Sequence, residues 1–393
     1  MLRATLELTK LRVYPLATRK SLSTLEDTLV EPAQGPPALS EPAREAVEDC
    51  ARRVAAAIRR QASVLLIYGA HLIKNGGQLL LVRMLDRGWV THLATNGAGS
   101  IHDWEFSFLG RSTESVRDNV ATGSFGTWDE TGRYLHLALL LGGLRGEGYG
   151  QALGRFVYQD GGCVPTAAAL KRQIIQGPDD PLTPARAELL HAMRAHRIKP
   201  GPQTVVHRWR NSSVLANAFR HEVPLTVHPG IGYDIISNHP MFNVAAIGRA
   251  ATVDFRRFAG AVANLDGGVV LSIGSAIMGP QVFEKTLSCV NNLRLQARRP
   301  IVQGHSIYVV DLQDGGGWDW TRGEPPKNNP AYYLRFCKSY SRMGGEMRYV
   351  QCDNVAFLHN LYHRLCADAK PKRSGPAGVA ATGPQHPVSR AEG

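Results

Sequence analysis

The sequence predicts an α/β protein with a doubly wound, mostly parallel sheet and helices on both faces. Short apolar runs alternate along the chain with longer segments in which apolar residues recur at helical spacing. Glycine-bearing turns follow several of the apolar runs, and no internal repeat is visible. Strands that alternate with helices in this way are typical of parallel sheets, which bind ligands at the carboxyl ends of their strands.

The predicted elements follow one another in a regular order. A helix over residues 44–61 carries arginines opposite its apolar face, and the run SVLLIYGA then suits a strand that is buried on both faces. A helix over 76–87 and the strand WVTHLATN come next, and Ser112 or Thr113 is the predicted N-cap of the following helix. Later strand candidates are QTVVHRW, VPLTVH, GGVVLSIG and SIYVVDL, and later helix candidates cover 254–264 and 281–294.

Composition divides the chain into three parts. Residues 1–43 are predicted to form an N-terminal arm with a Pro-rich connector, VEPAQGPPALSEPA, and residues 369–393 to form a disordered basic tail. Residues 44–368 are predicted to fold as a single α/β domain, which has the length for one large core.

Charge and cysteine content exclude several classes of protein. The formal net charge is +12, but most of the excess lies near the two ends, which argues against a nucleic-acid partner. The six cysteines show no CxxC pair, so we expect free thiols and no metal site. No apolar run reaches the ~18 residues of a membrane span. We therefore expect no membrane partner and a cytoplasmic location.

Four glycine-rich turns after predicted strands are the candidate ligand site. They cover residues 68–77, 95–105, 228–240 and 273–280. Glycine lets the backbone approach a ligand, and a helix N-terminus supplies free N–H groups for a phosphate. One such turn alone is more typical of ordinary chain reversal, whereas four at one end of a sheet favour a binding site. No GxGxxG fingerprint follows a predicted strand.

Two further groups of residues carry candidate chemistry. Asp234 lies five residues before His239 and could orient it as a general base, although a helix cap and a buried histidine explain the pattern equally well. Asp314, Trp318 and Asp319 suit a loop over a cationic ligand. Lys338 follows within an aromatic helical run. Among aromatic rings a lysine loses hydration and becomes a nucleophile for imine formation, although a surface lysine with a packed stem is the alternative.

The order of these features resembles deoxyhypusine synthase and its homospermidine-synthase-like relatives over residues 44–368. The family's early strand and TAGG-IEED turn are similar to LLIYGAHLIKNGG and ATNGAGSIHDWE, and its DGS-GD segment and catalytic histidine are similar to HPGIGYDIISNH. Its closing glycine-rich loop, proline and reactive lysine are similar to DGGGWDW, Pro330 and Lys338. The sequence departs from the family at Pro229, Tyr332, Phe336 and Cys337.

The resemblance implies a Rossmann-like fold, NAD as cofactor and aminoalkyl transfer without net redox change. Lys338 would form an imine with the substrate, His239 would move protons, and Asp234, Asp314, Trp318 and Asp319 would hold an amine such as a polyamine. The cofactor-binding residues would be Asn96, Gly97, Ala98, Gly99, Asp103, Glu105, Gly274, Ser275 and Ala276. Members of the family are homotetramers, so a homo-oligomer is expected, with a protein or an amine as acceptor.

Two alternatives to this chemistry stay open. The first is a nucleotide- or sugar-phosphate-dependent enzyme with the same fold, and the second is a non-catalytic ligand-binding protein. Asp103 and Glu105 also have two interpretations, because either carboxylate could cap a helix or hold cofactor and substrate.

Overall fold

A computed structural model describes residues 5–368, so the predicted tail over 369–393 lies outside the described residues. The helices are α1 Leu25–Thr28, α2 Glu41–Arg59, α3 Ala70–Lys74, α4 Gln78–Asp86, α5 Gly97–Leu109, α6 Val116–Ala121, α7 Asp129–Gly143, α8 Tyr149–Tyr158, α9 Ala167–Gln176, α10 Thr183–Ala195, α11 Val214–Arg220, α12 Val244–Ala263, α13 Met278–Gln296, α14 Arg335–Ser341 and α15 Asn354–Asp368. The strands are β1 Ser23–Thr24, β2 Val64–Tyr68, β3 His92–Asn96, β4 Arg111–Ser112, β5 Gly161–Val164, β6 Gly201–Thr204, β7 Leu225–His228, β8 Val269–Ile273, β9 Ser306–Asp311 and β10 Glu346–Gln351.

Six parallel strands form the central sheet in the order β10-β9-β8-β2-β3-β7. If these six strands are numbered one to six in chain order, their order in the sheet from the β7 edge is 3-2-1-4-5-6. Dinucleotide-binding folds have this strand order. The direction of winding reverses between β2 and β8. The predicted doubly wound α/β fold with a mostly parallel sheet is therefore confirmed.

The two faces of the sheet bury separate cores. Along β2, Val64, Leu66 and Tyr68 pack into one core, and Leu65 and Ile67 pack into the other. All five residues are buried, as expected for a strand covered by helices on both faces. The continuous apolar run is therefore explained by burial on both sides.

Several predicted boundaries differ from the structure. The QTVVHRW segment contributes only Gln203 and Thr204 to β6, which pairs antiparallel with β5 outside the central sheet. The N-cap of α6 is Ser115, whose hydroxyl accepts from the amide of Asp118, so the prediction of Ser112 or Thr113 was wrong. Ser112 pairs in β4 instead. Strand β10 was not predicted, because as an edge strand it lacks a continuous apolar run.

The N-terminal arm packs closely against the domain. Leu16 and Leu25 are buried in the larger core. Strand β1 pairs with β4, and the carbonyls of Pro32 and Pro37 accept hydrogen bonds from His363 and Asn360 of α15. The Pro-rich connector therefore lies across α15. None of the helices within residues 5–368 combines the length and the apolar composition that crossing a bilayer requires.

Candidate functional site

The point where the winding reverses is built from two glycine turns that meet. Strands β2 and β8 are neighbours, and the amide of Gly69, directly after β2, donates to the carbonyl of Ile273 at 3.2 Å. A Cβ at Gly69 would overlap the carbonyl oxygen of Gly274. Gly274 itself has φ +59°, in the left-handed region that favours glycine. The two turns therefore come together only because both positions are glycine, and they border the switch-point crevice.

Helix α13 begins at this crevice. Its first residue, Met278, follows the turn that contains the predicted residues Gly274, Ser275 and Ala276. The Ser275 hydroxyl accepts from the amide of Gly279, in the first turn of the helix, at 3.1 Å. Ile277 is 73% exposed beside the first turn. The partial positive charge of this 19-residue helix is directed at the crevice, where it favours an anionic group.

The turn after β3 starts helix α5 and brings Asp234 to it. The side chain of Asn96 caps α5 by accepting from the amide of Gly99 at 2.8 Å. A Cβ at Gly97 would overlap the carboxylate of Asp234, which comes from the turn after β7. Ala98, between the two glycines, lines a cavity with Asp234. The predicted residues of two different turns therefore meet at the start of α5.

Asp234 is a buried carboxylate with one protein partner among the described residues. It accepts a hydrogen bond from the amide of Gly230 at 2.8 Å. Burial raises the pKa of Asp234 to about 6, and the bond from Gly230 only partly offsets this effect. At neutral pH the carboxyl is therefore mostly ionised and can hold a cation.

A cavity of about 310 Å³ lies beside α5, and we call it the α5 cavity. It is lined by Arg19, Lys74, Ala98, Ile101, His102, Glu105, Thr113, Glu114, Val116, Phe125, Tyr233, Asp234 and Ile235. Lys74 makes no ion pair with any residue in the range 5–368. The carboxylate of Glu114 already accepts hydrogen bonds from the indole of Trp128, the backbone amide of Gly126 and the side-chain amide of Asn119. The polar groups left for a ligand are thus Lys74, His102, Tyr233 and Asp234.

Three larger grooves lie elsewhere on the described surface. One of about 600 Å³ borders Pro224 and Leu225, at the amino end of β7. Another, of about 710 Å³, borders Leu29, Arg208 and Trp209. The third, of about 400 Å³, lies along α13. Ligands of doubly wound sheets bind at the carboxyl ends of the strands. The α5 cavity is smaller, but it lies beside the turns at that end, so it is the better candidate.

Glu105 is at the centre of a buried network. Arg19 of the arm donates to both of its oxygens at 2.8 and 2.7 Å, and Thr131 donates at 2.9 Å. The hydroxyl of Ser112 also donates to Glu105 at 2.5 Å, and the same hydroxyl contacts Nδ1 of His102 at 2.7 Å. Burial acts to raise the pKa of Glu105, but the Arg19 guanidinium, His102 and the Ser112 hydroxyl together outweigh it, and the pKa is lowered. Glu105 is therefore an ionised carboxylate whose partners are protein groups.

Asp103 lies on another side of α5 and caps a different helix. Its carboxylate accepts from the Ser213 hydroxyl at 2.6 Å and from the amides of Val214 and Leu215 at 2.8 and 3.0 Å. Burial raises the pKa of Asp103 to about 6 against these bonds. Capping was one of the two roles that the sequence allowed, although the capped helix is α11 rather than α5.

His239 is buried beside α7. Its Nδ1 accepts from the amide of Met241 at 3.1 Å, and its Nε2 lies 3.4 Å from a carboxylate oxygen of Asp129. The bond from His239, with Arg133 also contributing, lowers the pKa of Asp129 to about 2. The acid that contacts His239 is therefore Asp129, and the expectation that Asp234 orients it was wrong. Asp234 lies against Gly97 instead.

The remaining predicted residues lie in residues 312–341, which we call the closing segment. Asp314 and Asp319 are exposed and accept from the amides of Gly316 and Thr321, each two residues further on. The indole of Trp318 donates to the carbonyl of Gly323 at 2.9 Å. These polar groups therefore stabilise the turns of their own loop.

Lys338 lies in the closing segment on α14. Its Nζ is 3.6 Å from the centre of the Tyr332 ring and 3.9 Å from Glu324. Helix α14 packs against α13 and β10, whereas His239 follows β7. Strands β10 and β7 are opposite edges of the sheet, five strand spacings of about 4.8 Å apart. Within one chain, Lys338 and His239 therefore lie on opposite sides of the switch-point crevice.

Sequence reasoning did not select His102 as a site residue. The available signal was its spacing of three residues from Glu105, which places both on one face of a helix. Its partner Ser112 could not be identified from spacing, because it lies in β4 beyond the end of α5. Within residues 5–368, no group of three or more histidine, cysteine, aspartate or glutamate side chains is arranged to hold a metal ion.

Comparisons with known proteins show only distant similarity. No family model matches the chain, and no curated protein matches it. AgrE, in a ternary complex with ornithine and NAD+, is 16% identical with a TM-score of 0.42, over 84% of this chain and 34% of that one. ArgZ, a cyanobacterial arginine dihydrolase, is 13% identical with a TM-score of 0.38, over 83% and 33%. A conserved putative LOR/SDH protein from Methanococcus maripaludis S2 is 13% identical with a TM-score of 0.40, over 86% and 74%.

The chain spans about a third of the length of the AgrE and ArgZ chains. The resemblance to deoxyhypusine synthase stays a prediction.

Proposed function

We propose that this protein is an enzyme that uses a dinucleotide, NAD, to act on a small amine-bearing molecule held in the α5 cavity. The observation that carries this proposal is the reversal of winding between β2 and β8, with glycine required on both sides of the crevice. Folds with this strand order bind dinucleotides at the reversal. The α5 cavity, with polar groups left for a ligand, lies beside the turns at the same end of the sheet.

The residues around the crevice fit a bound dinucleotide. Gly69 and Gly274 leave room at the backbone that a side chain would fill, and the start of α13 offers positive charge to a pyrophosphate. Ser275 and Ile277 belong to the same turn and would border it. When bound, NAD supplies a hydride acceptor, and the protein residues supply binding, orientation and proton transfer.

The α5 cavity supports a substrate with an amine. Asp234 offers a buried carboxylate to a cationic group, and Lys74 offers an ammonium to an anionic one. A volume of about 310 Å³ suits a molecule of modest size. NAD and ornithine, the ligands of the AgrE complex, are suitable first probes.

Binding of NADH tests the cofactor proposal. Ile277→Asp places a negative charge at the exposed start of α13 and should raise the NADH dissociation constant at least about tenfold, or ~1.4 kcal/mol. Leu293→Asp makes the same charge change on an exposed side chain near the far end of the same helix, and should leave the constant within about twofold. Titration calorimetry with both variants would measure the difference. Equal constants for the two variants, or no binding to the wild type, would contradict the proposal.

Aminoalkyl transfer through Lys338 is a second candidate. It is supported by the contact of Nζ with the Tyr332 ring and by the packing of Tyr340 of α14 beside Gly279, in the first turn of α13. If NAD has first taken hydride from the amine-bearing carbon, the Lys338 amine would add to the resulting substrate imine and expel the other amine, leaving an enzyme imine.

Borohydride reduction in the presence of NAD and spermidine should trap such an imine. If the transfer proposal holds, mass spectrometry finds the label on Lys338, and Lys338→Arg abolishes it. Lys327→Arg, at an exposed position in the same segment, should label like the wild type. Absence of any labelled lysine would reject this second candidate.

A further inference from the structure

The N-terminal arm, the segment after α5 and one face of α5 converge on the ring of His102. His102 lines the α5 cavity, and its Nδ1 lies 2.7 Å from the hydroxyl of Ser112. Its Nε2 makes no hydrogen bond with any residue between positions 5 and 368. One ring nitrogen is therefore held by the protein, and the other is free to meet a ligand.

The hydrogen bonds decide which nitrogen carries the proton. Ser112 has one hydroxyl hydrogen and donates it to the carboxylate of Glu105, which is ionised by its bidentate pair with Arg19. The Ser112 oxygen can then only accept from His102, so Nδ1 must be the protonated nitrogen. Nε2 keeps its lone pair, in the tautomer that a general base requires.

Burial keeps the ring neutral, and the nearby cations add to its effect. Burial lowers the pKa of His102 to about 4, with Glu105 opposing this effect and the cations of Arg19 and Lys74 and the ring of His71 adding to it. Two more carboxyl groups line the same cavity, Glu114 and Asp234. At neutral pH the ring is therefore uncharged and can accept a proton.

The arm positions the whole network. Ser112 belongs to β4, which pairs with β1 of the arm, and the amide of Leu22 donates to the carbonyl of Thr113 at 3.2 Å. Thr113 has φ +64°, a strained conformation for a β-branched residue that only surrounding contacts can hold. The hydroxyl of Ser23 lies 3.0 Å from that of Thr113 and provides one such contact. Arg19, at the other end of the network, is itself an arm residue.

We propose that His102 is the proton-accepting residue of the α5 cavity and that Arg19, Glu105 and Ser112 are its positioning residues. This inference rests on the proposed function. When the substrate's amine-bearing carbon is oxidised, its C–H hydrogen leaves as hydride to NAD and a proton leaves the nitrogen for Nε2 of His102. From an ammonium substrate, loss of one proton and one hydride would leave the protonated imine, and the charge of the imidazolium formed would be balanced by Glu105 through Ser112.

The tautomer of His102 can be measured without a substrate. In the full chain labelled with ¹⁵N-histidine, NMR at pH 7 should show a protonated Nδ1 and a bare Nε2 for His102. Ser112→Ala should lose the single tautomer and give a mixture, whereas Ser112→Thr keeps the hydroxyl and should restore it. A protonated Nε2 in the wild type, or an unchanged spectrum in Ser112→Ala, would overturn the assignment.

A second measurement separates proton transfer from cofactor binding. His102→Gln should bind NADH within about twofold of the wild type, unlike Ile277→Asp, and His191→Gln, at an exposed position on α10 away from both sites, serves as its control. If His102→Gln weakens NADH binding about as much as Ile277→Asp, His102 contacts the cofactor and the inference fails. If the wild type binds no NADH, the proposed function fails, while the NMR result still decides whether Ser112 holds His102 in the basic tautomer.

Discussion

Two arginine–glutamate pairs show how differently the two predicted site regions are built. Arg19 and Glu105 form a bidentate pair in which both side chains are 1% exposed, and the partners lie 86 residues apart. Arg342 and Glu324 form a similar bidentate pair, but their side chains are 58% and 31% exposed and only 18 residues separate them. The first pair joins the arm to α5, whereas the second lies in and beside the closing segment.

The aspartates repeat this contrast. Asp103 caps a helix 110 residues away and is buried, whereas Asp319 caps a turn two residues away and is exposed. Polar groups around α5 therefore hold distant parts of the fold together, and those of the closing segment hold their own loop. A polar residue type predicts neither role, because the role depends on burial and on the distance to the partner along the chain.

The largest expected difference concerns the two ion pairs. Glu105→Gln leaves Arg19 as a buried, unpaired charge and should lower the free energy of unfolding by about 3–5 kcal/mol. Glu324→Gln removes a solvent-exposed pair and should cost less than about 1 kcal/mol. Urea unfolding of both variants at pH 7 measures this. Similar losses for the two would remove the distinction between the regions.

The two capping aspartates should differ by less. Asp103→Asn turns an amide group toward the donors of Val214, Leu215 and Ser213, so at least one buried donor loses its acceptor, at a cost of about 1–3 kcal/mol. Asp319→Asn keeps an acceptor for an exposed turn and should cost about 0.5 kcal/mol or less. The midpoints of urea unfolding compare the two variants. A larger loss for Asp319→Asn would show that the closing segment also supports the wider fold.

Acid should destabilise the protein because protonation of His92, buried in β3, favours the unfolded state. Burial lowers the pKa of His92 to about 3, below its value near 6.5 in an unfolded chain. Between these values the unfolded state binds the proton and the folded state does not. The stability contributed by neutral His92 is therefore fully present above about pH 6.5 and decreases by roughly 1.4 kcal/mol per pH unit as the pH falls toward 3.

The pH effect can be isolated by comparison with His92→Asn, whose stability should fall less steeply between pH 6.5 and 5. Asp254 acts in the opposite direction, since burial raises its pKa to about 7 and its contribution is lost as the pH rises toward 7. The wild type and His92→Asn both contain Asp254. The difference between the pH dependences of their free energies of unfolding, measured in urea, therefore reports the contribution of His92. Parallel pH dependences would show that His92 does not contribute. The closing segment contains no histidine and should add nothing to this effect.

A small effect on stability is expected for Lys338→Met. The substitution removes the contact with Tyr332 and the 3.9 Å pair with Glu324, and should change the free energy of unfolding by about 1 kcal/mol or less. Lys327→Met, at an exposed position in the same segment, is the control for loss of a charge. A loss of several kcal/mol would place Lys338 in the supporting structure of the domain.

Much of the fold was predictable because it depends on local patterns. A strand such as β2, covered on both faces, requires an unbroken apolar run, and that run is visible in VLLIY. Edge strand β10 alternates exposed and buried residues in EMRYVQ and escaped prediction. The sequence also pointed to the turns that contain Gly69 and Gly274, and close approach of two backbones, which excludes side chains there, explains why both positions are glycine.

The sequence by itself therefore determined the doubly wound fold and the positions of the turns at the carboxyl ends of its strands. Only the tertiary structure decided which polar groups meet. Arg19 pairs with Glu105, Asp129 rather than Asp234 contacts His239, and Ser112 orients His102. Periodicity reports which face of one element is buried, but a contact between distant residues depends on how several elements pack, and that information is not local.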